Sequence, residues 1–205
     1  KLSQTDKELL QKYSKVYFLN EHYAPEALSL IPAEFLYEKT LSNSSGQVKE
    51  MQIHAKVLPN LVNLLSVAQK DGMDLKIISA YRSFGEQSIL KGAYTVNYGS
   101  GANTFSADQG YSEHQLGTTI DFTTTSIGAS FSGFSKTKEY EWLVQNAYKY
   151  GFIISYSKDN TYYQFEPWHW RFVGKSLAKR LYEEKQNFYD LEQRIIDSYL
   201  INIFD

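Results

Sequence analysis

Four short segments rich in β-branched and aromatic residues constrain the fold of this chain more than any other feature. They read as strands and lie at residues 75–81, 118–122, 152–156 and 162–173. Helical segments separate them without the regular β-α-β alternation that builds a parallel sheet. The order therefore predicts the α+β class, with a small, mostly antiparallel sheet and surrounding helices.

Apolar periodicity predicts the helices around this sheet. The first runs from about residue 50 to residue 70, with an interruption at Pro59 and a terminating Asp-Gly pair. A second covers residues 83–99. A third covers residues 137–151 and ends at a glycine. A further helix begins at Gly174.

The first 45 residues differ from the rest of the chain. The stretch "APEALSLIPAEF" contains two prolines that prevent one long helix, and residues 41–47 have the composition of a loop. We therefore expect residues 1–45 to form an N-terminal arm packed on a core of residues 46–205. A length of 205 residues fits a single domain.

Composition excludes several classes of function. The net charge is −2, which argues against a nucleic-acid binder that works through a basic face, and this balance offers no polybasic patch for a membrane surface. No apolar run approaches the roughly 20 residues of a membrane span. The chain begins at Lys1, which leaves open a signal or anchor segment upstream.

The chain has no cysteine, so any metal site must be built from His, Asp or Glu. One candidate lies in "YSEHQLGTTIDF", residues 111–122, where His114 precedes Asp121 by seven residues. Taken alone, this spacing fits a turn histidine and a strand-end aspartate as well as it fits a metal site.

The segment "FEPWHWRFVG", residues 165–174, supplies a second histidine. His169 lies between Trp168 and Trp170 on a predicted strand, and Glu166 precedes it by three residues. One interpretation is a structural histidine among core aromatics. Because the two tryptophans alternate about His169, we also expect one of them in the core and the other beside the site, in an order that the sequence leaves open. A glutamate in such a segment is costly to bury without a partner, however.

Together, His114, Asp121 and His169 provide three nitrogen or oxygen ligands. That set leaves a fourth tetrahedral position for water, as a catalytic zinc site requires. Glu166 then has the chemistry of a general base for that water.

These segments resemble the D-alanyl-D-alanine carboxypeptidase family of zinc peptidases, the vancomycin-resistance type, which includes peptidoglycan L,D-carboxypeptidases. The motifs match as "SxHxxGxxxD" and "ExWHxRxVG", and "SAYRSFGEQ" and "KTKEYEWLVQNAYKYGF" extend the resemblance to roughly residues 17–195. The residues that carry the two motifs are Ser112, His114, Gly117, Asp121, Glu166, Trp168, His169, Arg171, Val173 and Gly174.

The resemblance implies a role for each matching residue. His114, Asp121 and His169 bind one Zn²⁺, and Glu166 is the catalytic base. Arg82 engages a terminal carboxylate or a developing oxyanion, for which its planar guanidinium is suited. The other implied substrate-binding residues are Tyr81, Ser83, Gln87 and Ser112.

Four positions lie outside this pattern. Thr119 and Ala80 stand where the family often has a small residue and a glycine, which leaves the ligand types intact. His22 and His54 belong to no motif, and we expect them at the surface or at a helix end rather than at the metal.

The resemblance also implies the fold and the function. The fold is the small zinc peptidase fold shared with lysostaphin-like enzymes and the Hedgehog signalling domain. The expected activity is removal of the C-terminal D-alanine from peptidoglycan stem peptides by a monomer outside the cell or in the bacterial envelope. An L,D-carboxypeptidase acting on tetrapeptides, an endopeptidase and a non-catalytic cell-wall-binding relative remain alternatives. Residues 97–109 and 124–136 are expected to line the substrate pockets.

Overall fold

The computed structural model of the chain describes Leu19 and residues 21–37, 50–98, 106–160 and 163–200. Two antiparallel sheets lie within these ranges. The strands are β1 (Leu28–Leu30), β2 (Gln52–His54), β3 (Lys76–Ser79), β4 (Thr119–Thr123), β5 (Phe152–Ile154) and β6 (His169–Phe172). Strands β1 and β2 form a small sheet, and the other four form a sheet of order β3-β4-β6-β5. The predicted α+β class is therefore confirmed.

Helices surround the larger sheet. They are α1 (Leu58–Lys70), α2 (Phe84–Tyr98), α3 (Lys138–Asn146), α4 (Lys175–Glu184) and α5 (Gln193–Leu200). The predicted helix at residues 137–151 is α3 followed by the 3₁₀ turn Ala147–Tyr150, and Gly151 ends it with a φ of 85°. Thr137 begins it, because its side chain accepts a hydrogen bond from the backbone N–H of Tyr140.

Alternation along the central strands separates a core face from a polar face. Ile120 and Phe122 on β4, with Trp170 on β6, are buried in the hydrophobic core. The alternate positions, Asp121 on β4 and His169 on β6, point to the opposite face. One face of the sheet thus packs on the core, and the opposite face presents polar side chains that can form a functional site.

The predicted strand at residues 162–173 was too long. Within the described residues 163–173, strand β6 is His169–Phe172, and Glu166–His169 forms a β-turn in which the N–H of His169 donates to the carbonyl of Glu166. Pro167 causes this difference, because it lacks an N–H for a ladder and favours the second position of a turn.

The predicted helix from residue 50 was also too long. Residues Gln52–His54 form strand β2, and α1 begins only at Leu58, with Pro59 in its first turn. Proline suits that turn because its missing N–H has no helical partner there. His54 consequently lies buried on a strand and not at the surface or at a helix end, whereas His22 is exposed as expected.

Part of the expected N-terminal arm lies within the described residues. Strand β1 pairs with β2, and Ile31, Phe35 and Leu36 are buried in the core. The prediction that residues 41–47 form a loop falls outside the described residues, and the division at residue 45 stays a prediction. None of the helices in the described ranges has the length and apolar character needed to cross a membrane.

Candidate metal and catalytic site

Two histidines and one aspartate meet on the polar face of the sheet. One ligand atom from each of His114, Asp121 and His169 lies within 4.8 Å of the others, and all three residues are buried. Asp121 and His169 face each other across β4 and β6, and His114 comes from the 3₁₀ turn Glu113–Leu116 just before β4. The three residues singled out from the sequence therefore form one cluster.

His114 presents a defined nitrogen to this cluster. Its Nδ1 lies 2.7 Å from the carbonyl oxygen of Ala80, which can only accept, so Nδ1 carries the hydrogen. Burial lowers the pKa of His114, and the opposing attraction of Asp121 does not overcome that effect. The neutral ring thus directs the lone pair of Nε2 toward Asp121 Oδ2, 3.2 Å away. The contact uses the backbone of Ala80, so a glycine at that position would serve equally.

His169 is oriented the other way round. Its Nδ1 lies 3.2 Å from Asp121 Oδ1, and its Nε2 lies 2.8 Å from Glu113 Oε2. Burial alone would lower the pKa of His169, but the hydrogen bonds to Asp121 and Glu113 raise it to about 10. Burial alone would raise the pKa of Asp121, yet His114 and His169 hold it well below its usual range. Without a metal, His169 is therefore an imidazolium beside the carboxylate of Asp121.

Glu166 reaches the cluster from the β-turn before β6. Its Oε2 lies 3.8 Å from Nδ1 of His169, and the side chain is 14% exposed. Burial raises the pKa of Glu166 to about 7, and the nearby Asp121 and Glu113 add to the effect of burial against the opposing pull of His169 and Arg82. A carboxyl group with this pKa can both accept and return a proton near neutral pH.

Arg82 is held at the mouth of the site by two polar side chains. Its Nη1 donates to Gln87 Oε1 at 2.6 Å, and its Nη2 donates to Ser79 Oγ at 2.8 Å. Gln87 is buried and in turn donates to the carbonyl of Ala107 at 2.7 Å. Gln87 therefore fixes the guanidinium in place.

These residues line one cleft of about 1040 Å³. Tyr81 and Ser112 lie on its wall, but Ser83 is engaged elsewhere. The N–H of Ser83 donates to Glu86 Oε2 at 2.8 Å and the N–H of Glu86 donates to Ser83 Oγ at 3.2 Å, a capping box that starts α2. The substrate-binding role expected for Ser83 stays a prediction.

Parts of both expected specificity loops line the cleft. From residues 97–109 these are Ser106, Ala107 and Asp108, while residues 99–105 lie outside the described part of the chain. From residues 124–136, Phe131 stacks on Trp168 with ring centroids 4.7 Å apart. Trp168 is thus the tryptophan beside the site and Trp170 the one in the core, an order that the sequence left open.

The sequence did not single out a buried polar network behind the cluster. Glu113 Oε1 accepts from Arg171 Nη1 at 2.7 Å and from the hydroxyl of Tyr189 at 2.6 Å. Burial alone raises the pKa of Glu113, but Arg171 and His169 hold it well below its usual range. One signal was available: Arg171 follows His169 by two residues on a strand, so both point to the same buried face, where arginine needs an acidic partner.

A small antiparallel sheet with a buried two-histidine, one-aspartate group and an adjacent glutamate is typical of a metallopeptidase. The chain belongs to the D-alanyl-D-alanine carboxypeptidase family VanY, whose sequence profile matches residues 50–175. The resemblance inferred from the motifs is thereby confirmed.

Individual relatives support this membership. The Bacillus subtilis (strain 168) protein YodJ is 33% identical over 181 residues, which cover 86% of this chain and 64% of YodJ. The LdcB LD-carboxypeptidase structure superposes with a TM-score of 0.74 and 30% identity, covering 96% of this chain and 87% of that one. The vancomycin-resistance D,D-pentapeptidase VanY was solved as a mutant in complex with Zn(II). It superposes with a TM-score of 0.60 and 28% identity, covering 84% of this chain and 94% of that one. The chain spans 34% to 64% of the lengths of the curated relatives it matches.

Proposed function

We propose that the chain is a zinc-dependent carboxypeptidase that removes the C-terminal D-alanine from peptidoglycan stem peptides ending in D-alanyl-D-alanine. The observation that carries the proposal is the convergence of His114, Asp121 and His169 within 4.8 Å, with the carboxylate of Glu166 at the edge of the group. Membership of the D-alanyl-D-alanine carboxypeptidase family supports the substrate class.

The three side chains suit zinc. Two imidazole nitrogens and one carboxylate oxygen form the three-protein-ligand set of catalytic zinc sites, which keep one position open. The neutral His114 and the ionised Asp121 are in the protonation states that bind a metal. The VanY D,D-pentapeptidase of similar fold was solved with Zn(II). When bound, zinc lowers the pKa of water and polarises a carbonyl group.

Arg82 and Glu166 account for the remaining chemistry. Arg82 binds the terminal carboxylate of the peptide or the oxyanion that forms at the scissile carbonyl. Glu166 accepts a proton from the attacking water and delivers it to the nitrogen of the departing D-alanine. The carbon–nitrogen bond breaks, one water is consumed, and Glu166 returns to its starting state.

The Glu166→Gln variant tests this assignment. Glutamine keeps the size of the side chain and cannot accept the proton, so D-alanine release from a defined pentapeptide should fall by at least about a hundredfold. Zinc content should stay at one ion per chain, since the three ligands are unchanged. Substantial activity in this variant would exclude Glu166 as the base.

A second candidate activity is L,D-carboxypeptidase action on tetrapeptide stems. The specific observation in its favour is the similarity to the LdcB LD-carboxypeptidase, which covers 96% of this chain at a TM-score of 0.74. The motifs fix the metal and the base and leave the side-chain pockets undetermined. Incubation with defined pentapeptide and tetrapeptide, read by mass spectrometry, separates the two: loss of D-alanine from the pentapeptide supports the D,D-activity, and loss from the tetrapeptide alone supports the L,D-activity.

A substrate in the assembled cell wall supports a location outside the bacterial cytoplasm. We therefore propose a location at the cell wall or envelope, where such peptides are exposed. Fractionation of the producing cells, with detection of the chain in wall and cytosolic fractions, tests this location.

A further inference from the structure

Glu113 lies behind His169, on the side of the ring that faces away from Asp121. Its carboxylate Oε2 is 2.8 Å from Nε2 of His169, and the side chain of Glu113 is almost completely buried. Glu113 is next to His114 in the chain and contacts His169, but it is not one of the three residues of the metal cluster.

We infer that Glu113 is a positioning residue for the metal centre: it holds the hydrogen on Nε2 of His169 and so leaves Nδ1 as the metal-binding atom. The inference rests on the proposed zinc site and concerns how this chain prepares it. A carboxylate that accepts from the far nitrogen of a ligating histidine fixes the tautomer and the orientation of the ring.

The geometry of the ring supports this assignment. Nδ1 of His169 lies 3.2 Å from one oxygen of Asp121, and the other oxygen of Asp121 lies 3.2 Å from Nε2 of His114. Nδ1 is therefore on the side of the other ligands. Tyr156 stacks on His169 with centroids 4.6 Å apart and planes at 20°. Stacking restrains the plane of the ring equally for both tautomers, so the bond to Glu113 is what distinguishes them.

The remaining contacts of Glu113 keep it in the acceptor state. Arg171 and Tyr189 both donate to Oε1, at 2.7 Å and 2.6 Å, which leaves Oε2 for His169. Arg171 is itself buried and extends from the same face of β6 as His169. A buried carboxylate with a guanidinium partner stays ionised, and an ionised carboxylate can only accept.

Counting acceptors shows why glutamine cannot replace this glutamate. The carboxylate offers one oxygen to Arg171 and Tyr189 and the other to His169. An amide has a single oxygen. If that oxygen serves Arg171 and Tyr189, the amide N–H₂ faces Nε2 of His169 and selects the tautomer with the hydrogen on Nδ1. If that oxygen serves His169, the amide N–H₂ group faces the donors of Arg171 and Tyr189, and neither donor has an acceptor there.

The native protein provides the first test. In chains labelled with ¹⁵N-histidine and loaded with one equivalent of zinc, the ¹⁵N NMR spectrum should show a protonated Nε2 and a metal-bound Nδ1 for His169. For His114 it should show a protonated Nδ1 and a metal-bound Nε2. A His169 spectrum with zinc on Nε2 would overturn the inference and requires no variant to fold.

The second test compares Glu113→Gln with Tyr189→Phe. Both variants remove part of the same buried network, but only Glu113→Gln changes the partner of His169. We expect zinc affinity, measured by chelator competition, to fall by roughly 10–100-fold in Glu113→Gln and to stay close to native in Tyr189→Phe. Equal losses in the two variants would show that Glu113 acts only through the stability of the network and would overturn the positioning role.

These readouts are independent of the peptide that is cleaved. A protein that binds zinc through Nδ1 of His169 but releases no D-alanine would contradict the proposed function and leave this inference standing. A protein that releases D-alanine with His169 bound through Nε2 would do the reverse.

Discussion

Asp121 and His169 occupy directly opposed positions on the antiparallel strands β4 and β6. Opposed residues on one face of such a pair have side chains within about 5.5 Å of each other. The register therefore brings together two metal-binding side chains that are 48 residues apart in the chain. The neighbouring pair, Ile120 and Trp170, points into the core, so the packing that stabilises the sheet also fixes the register of the site.

The first prediction concerns zinc affinity and pH. In the metal-free chain the pKa of His169 is raised to about 10, and His114 is neutral, so metal binding must displace one proton from His169. The apparent affinity for zinc should therefore rise about tenfold per pH unit between pH 6 and pH 8. Titration with a competing chelator at several pH values measures this slope. A pH-independent affinity would show that His169 is already neutral or is not a ligand.

The second prediction concerns Glu166 in the metal-free chain. Its folded-state pKa is about 7, against 4.5 for an ordinary glutamate, so the unfolded chain loses this proton first as the pH rises. Stability conferred by the protonated form is full below about pH 4.5 and is lost as the pH rises to about 7. One pKa unit corresponds to about 1.4 kcal/mol, so the shift from 4.5 to about 7 makes the ionised Glu166 unfavourable by roughly 3 kcal/mol at pH 8.

Glutamine at this position has no charge to bury. The metal-free Glu166→Gln variant should be more stable than the native chain at pH 8 by that amount, and the advantage should shrink as the pH approaches 4.5. Urea denaturation of both chains with chelator present measures the difference. A variant that is equally stable, or less stable, at pH 8 would contradict a desolvated carboxylate at position 166.

The third prediction concerns Arg82. Lysine keeps the charge but loses the planar pair of donors, one of which is held by Gln87. Arg82→Lys should lower kcat/KM for the stem peptide by roughly 10–100-fold, since hydrogen bonds to charged groups contribute about 1.5–3 kcal/mol. Zinc content should not change. Arg180→Lys, a substitution on α4 outside the cleft, is the matched control and should leave kcat/KM at the native value.

The fourth prediction concerns the turn between His114 and Asp121. Gly117 has a φ of +70°, and an added Cβ would lie 2.9 Å from Cγ of Pro25. Gly117→Ala should therefore lower the free energy of unfolding by about 1–3 kcal/mol, through backbone strain and this contact.

Gly92 provides the comparison for that measurement. It lies inside helix α2, and nothing is within 4 Å of an added Cβ. Gly92→Ala should raise stability by roughly 0.5–1 kcal/mol. If the two alanine variants changed stability in the same direction, the left-handed turn at Gly117 would not be a constraint on the site.

The site was easier to predict from the sequence than the limits of the elements. His114, Asp121 and His169 stand out because the chemistry of zinc admits few residue types and the chain has no cysteine and only four histidines. Glu166 stands out because a charged side chain in an aromatic segment is costly to bury without a partner. These signals are local in the sequence, and the structure brings His114, Asp121 and His169 together.

The errors and omissions depended on tertiary structure. Strand β2 was predicted as helix because residues 52–54 precede a true helix, and their partner strand β1 is distant in the chain. Glu113 was passed over because its partners, Arg171 and Tyr189, are 58 and 76 residues away. The part of Ser83 in starting α2 was likewise missed, while its assignment to substrate stays a prediction. Contacts between residues so far apart in the chain produce no periodic pattern in a single sequence.

The most direct test of the account is anomalous diffraction at the zinc edge from crystals of the zinc-loaded chain. We predict one strong peak per chain, bound by Nε2 of His114, one oxygen of Asp121 and Nδ1 of His169, with Glu166 directed at the open side of the ion. A peak bound by other residues, or no peak within bonding distance of these three, would contradict the metal centre on which the proposed activity depends.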